Sequence, residues 1–112
     1  MSPFIRDHNR EIFKLINHLD SEPESARPIA FWFYSKNDKR ICNLAAHLHE
    51  NGYRIIRCQK SIQNKFLCIA EKVMVPKFEL LNKLCIDMQI IAEKMEVEFD
   101  GWGTEIDLSS TD

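Results

Sequence analysis

Glycine is scarce in this chain, with only Gly52, Gly101 and Gly103 among 112 residues. This argues against a glycine-rich phosphate-binding loop, which needs several residues lacking a Cβ close together. Cysteine occurs at positions 42, 58, 68 and 85 but never as a C-x-x-C pair. That spacing argues against a zinc ribbon or a thioredoxin-type site. Each Cys has apolar neighbours and reads as a buried free thiol in a reducing cytoplasm. No apolar run approaches the roughly 20 residues of a membrane span. The first residues, with Arg6, Asp7, Arg10 and Glu11, are too charged for a signal peptide. A soluble, cytoplasmic protein is the expectation. A formal net charge of −2 gives no bulk positive field for nucleic acid.

The charges that are present are segregated. Residues 27–72 carry nine Lys/Arg against three acids, and residues 76–112 carry three against nine. A basic middle and an acidic end predict a surface with two electrical poles.

The length suits one domain. It reads as an N-terminal helix at 1–20, a linker at 21–28, a core at 29–106 and a flexible tail at 107–112. Within 4–20, Ile5, His8, Ile12, Leu15, Ile16 and Leu19 recur at helical spacing, giving an amphipathic helix whose apolar face is expected to pack on the core. Ser21–Pro28 has linker composition. The run Ile29–Tyr34 is aromatic and apolar on both alternating sets, which suits a central strand covered on both faces.

Ser35 with Asp38 resembles a capping box, and Asn37 is another candidate cap. The helix that follows buries Ile41, Leu44, Ala45 and Leu48, and Asn51-Gly52 stops it. Strands at Tyr53–Lys60 and Lys65–Val75 flank a turn at 61–64. A hairpin centred on Gln63 pairs Cys58 with Cys68 and Ile56 with Ala70. It leaves Tyr53, Ile55, Arg57, Leu67, Ile69, Glu71 and Val73 on the opposite face.

Pro76 opens the longest helix, to Met95, with Leu81, Leu84, Cys85, Met88, Ile91, Ala92 and Met95 on one face. An alternating strand Val97–Phe99 comes next, then a turn through Asp100–Thr104. After the N-terminal helix the order is strand–helix–strand–strand–helix–strand. That is the α+β, ferredoxin-like (βαββαβ) pattern: two helices on one face of a four-stranded antiparallel sheet. Its first and third strands are central.

No catalytic constellation emerges. His47 and His49 are two positions apart on a helix, a rotation of about 200°, so they do not form a metal pair. No nucleophile has an activating context. No metal and no cofactor is expected, and the protein reads as a non-enzyme. Two binding readings remain. On an open sheet face Trp32, Tyr34 and Tyr53, with Arg54, Arg57 and Lys60, could stack and neutralise single-stranded RNA. Strand 65–75 lacks the glycine of an RNA-recognition signature. Alternatively Asp100, Gly101, Trp102, Gly103 and Thr104 form a protein-binding segment. In that reading Trp102 is the anchor and the edge strand offers backbone groups. The competing reading of Trp102 is a ring that covers the end of the sheet.

The sequence Ala92-Glu93-Lys94-Met95-Glu96-Val97-Glu98-Phe99-Asp100-Gly101-Trp102-Gly103-Thr104 resembles the ending of the bacterial regulator of ribonuclease activity B (RraB) family. The spacing around Ala45-Ala46 and Gly52-Tyr53 is a weaker likeness. The resemblance implies a small non-enzymatic protein that binds ribonuclease E outside its catalytic half and dampens RNA decay. The best-known members of the family are strongly acidic, whereas this chain has a basic middle.

Overall fold

Residues Arg27–Ser35 form the strand (β1) on which the sheet is assembled. In the computed structural model the described residues are 25–60 and 64–104, with Arg10, Glu11 and Lys14. Helix α1 spans Asp38–Glu50, β2 Arg54–Lys60, β3 Phe66–Met74, α2 Phe78–Met95 and β4 Glu98–Thr104. The four strands make an antiparallel sheet in the order β2-β3-β1-β4, so the architecture is α+β with a central β1.

The two alternating sets of β1 have different fates. Ile29, Phe31 and Phe33 are fully buried against Ile41, Leu44 and Leu48 of α1 and Leu81, Met88 and Ala92 of α2. Pro28, Ala30, Trp32 and Tyr34 face the other way and are half-buried or exposed. The expectation of a strand covered on both faces is therefore met on one face only, among the described residues.

Asn37 is the cap of α1, its side chain accepting from the Arg40 N–H at 3.1 Å. Ser35 has a different task, its hydroxyl accepting from the Asn37 N–H at 3.0 Å. Gly52, at φ +89, carries the chain out of the helix as its sequence position implied. In α2 the residues predicted inward are buried or half-buried. Asn82 is also 1% exposed, which periodicity did not indicate. The helix ends at Glu96 in the left-handed region, with the Val97 N–H donating to the Ala92 carbonyl at 2.9 Å.

Two bulges interrupt the outer strands, and the first corrects the register expected for the hairpin. In β2, Cys58 pairs with Cys68 as expected, but Ala70 pairs with Ile55 rather than Ile56. Ile56 is the extra residue and is 41% exposed. One extra residue reverses every facing before it. Ile55 and Tyr53 therefore turn to the helix side and join the core.

In β4, Trp32 pairs with Gly101 and Phe33 with Phe99, which leaves Asp100 as the extra residue. The segment Asp100–Thr104 is thus strand, not turn. Gly101, at φ +112, supplies the backbone that the bulge requires. Trp102 pairs with Phe31 and is 6% exposed within the core, so its ring is a packing element. Gly103 serves a different need. A Cβ there would lie 2.9 Å from Cη2 of Trp32, so its absence lets the Trp32 indole lie across the strand.

The thiols divide as well. Cys68 and Cys85 are buried, but Cys42 and Cys58 are exposed, contrary to the expectation for all four. Arg10, Glu11 and Lys14 are helical, and the Arg10 guanidinium lies 5.7 Å from the centre of the Phe78 ring at the start of α2. The rest of the expected N-terminal helix, most of the linker, the turn at 61–63 and the tail lie outside the described residues.

Two substitutions separate the parts of the Gly-Trp-Gly segment. Trp102→Ala should lower stability by roughly 3–5 kcal/mol in urea denaturation, the cost of emptying a large buried site. Gly101→Ala meets no atom within 4 Å. It should still cost about 1–3 kcal/mol, from backbone strain alone.

Candidate interaction surface

Antiparallel pairing places side chains of partnered residues on the same face. On the face away from the helices, Pro28, Ala30, Trp32 and Tyr34 of β1 therefore sit beside Val73, Glu71, Ile69 and Leu67 of β3. Arg54, Arg57 and Gln59 of β2 flank them on one side. Gly103, Gly101 and Glu98 of β4 flank them on the other. The centre of this face is apolar. Leu67 is 9% exposed there, Trp32, Tyr34 and Ile69 are half-buried, and Val73 is 63% exposed.

The glycines of β4 give the face its relief. Without a side chain at 103, an open concavity of about 430 Å³ lies between Pro28, Ala30, Trp32, Glu71, Gly103 and Thr104. The Thr104 hydroxyl donates to the Pro28 carbonyl at 2.9 Å and fixes one end of it.

The strand order sorts the charges. Arg54 and Arg57 lie at the β2 edge, and Glu98 and Asp100 at the β4 edge. Arg54 is 3.9 Å from Glu71, an exposed and weak pairing, so its guanidinium is accessible to another anion. Part of the sequence's charge segregation thus appears at the two edges of the sheet, two arginines at one and two acids at the other. At the Tyr34 end a second recess of about 480 Å³ lies beside two ion pairs, Arg40–Glu96 at 2.7 Å and Lys65–Glu98 at 3.1 Å. Both pairs are largely exposed, so each adds at most about 1 kcal/mol to stability.

Of the residues named for RNA, the structure brings Trp32, Tyr34, Arg54 and Arg57 onto one face. It removes two. Tyr53 is 8% exposed and meets Phe31 edge to face at 5.9 Å, with Lys72 Nζ 5.2 Å from its ring centre. Burial, and then the Asp87 charge, pushes its phenol up from the usual value. Lys60 pairs with Phe66, which shares the helix-side parity of Ser35 and Phe33. The register reversal at Ile56 accounts for Tyr53, and alternation along β2 for Lys60.

Nor do the five residues named for a protein partner share a face. Trp102 and Thr104 pair with core-side Phe31 and Ile29, whereas Gly101 and Gly103 pair with outward Trp32 and Ala30. What Asp100–Thr104 shares is an edge, because β4 is an outer strand of the described sheet. Sequence reasoning missed Leu67 and Ile69 as parts of a central outward surface with Trp32. The alternation of β3 contained that signal, since it placed both opposite the helix side.

His47 and His49 are exposed on α1. Among the described residues no group of three or more His, Cys, Asp or Glu side chains is arranged to hold a metal ion. No described helix is long and apolar enough to cross a membrane.

A family model described as Regulator of ribonuclease activity B matches residues 6–104. A Shewanella denitrificans protein described as Regulator of ribonuclease activity B is 28% identical over 109 residues. The match covers 86% of this chain and 78% of that protein. The matched region takes in the whole sheet, both described helices and the complete Gly-Trp-Gly segment.

The two faces can be told apart by denaturation. Tyr53→Ala should cost roughly 2–4 kcal/mol as a core truncation. Trp32→Ala, which removes a half-buried ring from the outward face, should cost about 1–2 kcal/mol.

Proposed function

Because the chain belongs to the regulator of ribonuclease activity B family, we propose that it modulates RNA decay by binding a ribonuclease, with no catalysis of its own. Ribonuclease E, bound outside its catalytic half, is the partner this reading names, in the cytoplasm. The observation that carries it is the family match over residues 6–104. The outward face supports it physically, with an apolar centre, a concavity beside Trp32 and charged rims, the anatomy of a protein-binding patch. Within this reading the strand order and the helices are those of a ferredoxin-like domain. The partner meets Trp32, Ile69 and Val73, while Asp100–Thr104 contributes its edge backbone. Trp102 acts indirectly, by holding β4 in place.

The test is capture of purified ribonuclease E on the immobilised chain, with RNA cleavage followed in parallel. Binding and slower cleavage at micromolar protein are expected, both weakened at least tenfold by Trp32→Ala. Neither binding nor inhibition by the wild-type chain would overturn the reading.

A second reading is direct binding of single-stranded RNA on the same face. It rests on Trp32 and Tyr34 lying on the outward side of the central strand, with Arg54 and Arg57 on that side of β2. Two outward aromatics can stack two bases while the arginines meet phosphates. This reading expects a rise in anisotropy of a labelled oligonucleotide at low salt. The joint change Arg54→Gln and Arg57→Gln should then reduce the salt slope by about 2. Unchanged anisotropy would remove it.

A further inference from the structure

One row of residues crosses the outward face from edge to edge. Arg54 of β2 pairs with Glu71 of β3, Glu71 with Ala30 of β1, and Ala30 with Gly103 of β4. Ala30 and Gly103 are too small to fill that row. The concavity of this face takes both into its lining, together with Trp32 and Glu71. Trp32 leans toward β4, its Cη2 and Cζ3 atoms 2.9 and 3.0 Å from where a Cβ at 103 would sit. An aromatic ring and a carboxylate thus border one opening.

That carboxylate lacks a close cation among the described residues. The Glu71 side chain is only 21% exposed, and Arg54 comes no nearer than 3.9 Å. This is beyond hydrogen-bond reach, and the Arg54 side chain is 80% exposed, so water screens the pair. A half-buried carboxylate beside apolar groups gains most from a cation with N–H groups in direct contact.

We propose that the concavity receives an arginine side chain of the partner, its guanidinium laid on the Trp32 indole and forked to the Glu71 carboxylate. The proposal rests on the reading of the outward face as the docking surface and adds what the partner presents there. A guanidinium suits both borders, because its plane stacks on an aromatic face and its N–H groups match a carboxylate. A lysine ammonium is a more strongly hydrated point charge and suits them less well. The Thr104 hydroxyl already donates to the Pro28 carbonyl, so its oxygen can accept a further N–H. Charge sets the approach. Glu98 and Asp100 lie on β4, whereas Arg54 and Arg57 repel a cation from the β2 side. The partner's cationic segment therefore enters across β4.

The test is a titration of the nitrogen-labelled full chain, followed by N–H correlation NMR. The probe is the acetylated, amidated peptide Ser-Arg-Val-Arg-Val-Arg-Ser. Two controls carry citrulline, the uncharged analogue, or lysine at every arginine. The chain has two tryptophans, so their indole signals separate the concavity from the core. The arginine peptide should move the Trp32 indole signal to saturation and leave that of the core residue Trp102 in place. Both control peptides should bind more weakly. Glu71→Gln should weaken the arginine peptide about fivefold, and Trp32→Leu about tenfold. Arg54→Gln, which removes the competing guanidinium, should tighten it about twofold, the opposite of its expected effect on RNA. Glu93→Gln, at an exposed position of α2, should change nothing. A still Trp32 signal, citrulline or lysine peptides that bind equally well, a silent Glu71→Gln or a weakened Arg54→Gln would each overturn the proposal. Failure to capture ribonuclease E would strike that partner alone, whereas a still Trp32 signal strikes the arginine site alone.

Discussion

Phe31 is enclosed on all sides, and much of the sheet is arranged around it. It pairs with Ala70 across β3 and with Trp102 across β4. Tyr53 meets its ring edge-on, and Phe99 lies tilted at 6.3 Å. No part of it reaches solvent. A small partner on one side and a large one on the other share the layer under the helices, the complementarity of size that dense interiors require. Fixing Phe31 inward fixes Trp32 outward, because neighbouring strand residues oppose each other. The inner and outer surfaces of the molecule are thus one decision made at one strand.

That coupling explains what was legible in the sequence and what was not. The central strand could be read because Ile29–Tyr34 has no polar position to spare. The helices could be read from their periodicity, and the stop at Asn51-Gly52 from glycine's freedom at positive φ. The β2 register could not. Ile55 and Ile56 are adjacent and equally apolar, so composition does not say which of them faces the core. Only the pairing with Ala70 decides it, and that is a tertiary fact. Asp100–Thr104 misled for the opposite reason. Its Asp and Gly residues are the usual marks of a turn, yet here they build a bulge and leave room for an indole from the neighbouring strand. Trp32, at the heart of the candidate surface, was named from the sequence. Its neighbours Leu67 and Ile69 were placed on the correct face of β3, without the role that only the β1–β3 pairing reveals.

The charge distribution gains meaning only once the strands are ordered. Arg54 and Arg57 of the basic middle and Glu98 and Asp100 of the acidic end, far apart in the chain, lie at opposite edges of one sheet, with apolar side chains between them. Such a gradient aligns an approaching partner before contact, and its influence fades within about 10 Å at moderate salt. Orientation would come from the rims and adhesion from the centre around Trp32.

The extra residues at Ile56 and Asp100 lie on the two outer strands of the described sheet, one on each. A bulge kinks the row of outward N–H and C=O groups and increases the local twist. An incoming extended chain can therefore follow either margin for only a few residues before the spacing fails. Long flat segments, including copies of this chain laid side by side, are refused, while a short peptide can still be accommodated. The irregularities that spoiled the simple alternation thus also act as a brake on open-ended stacking and aggregation.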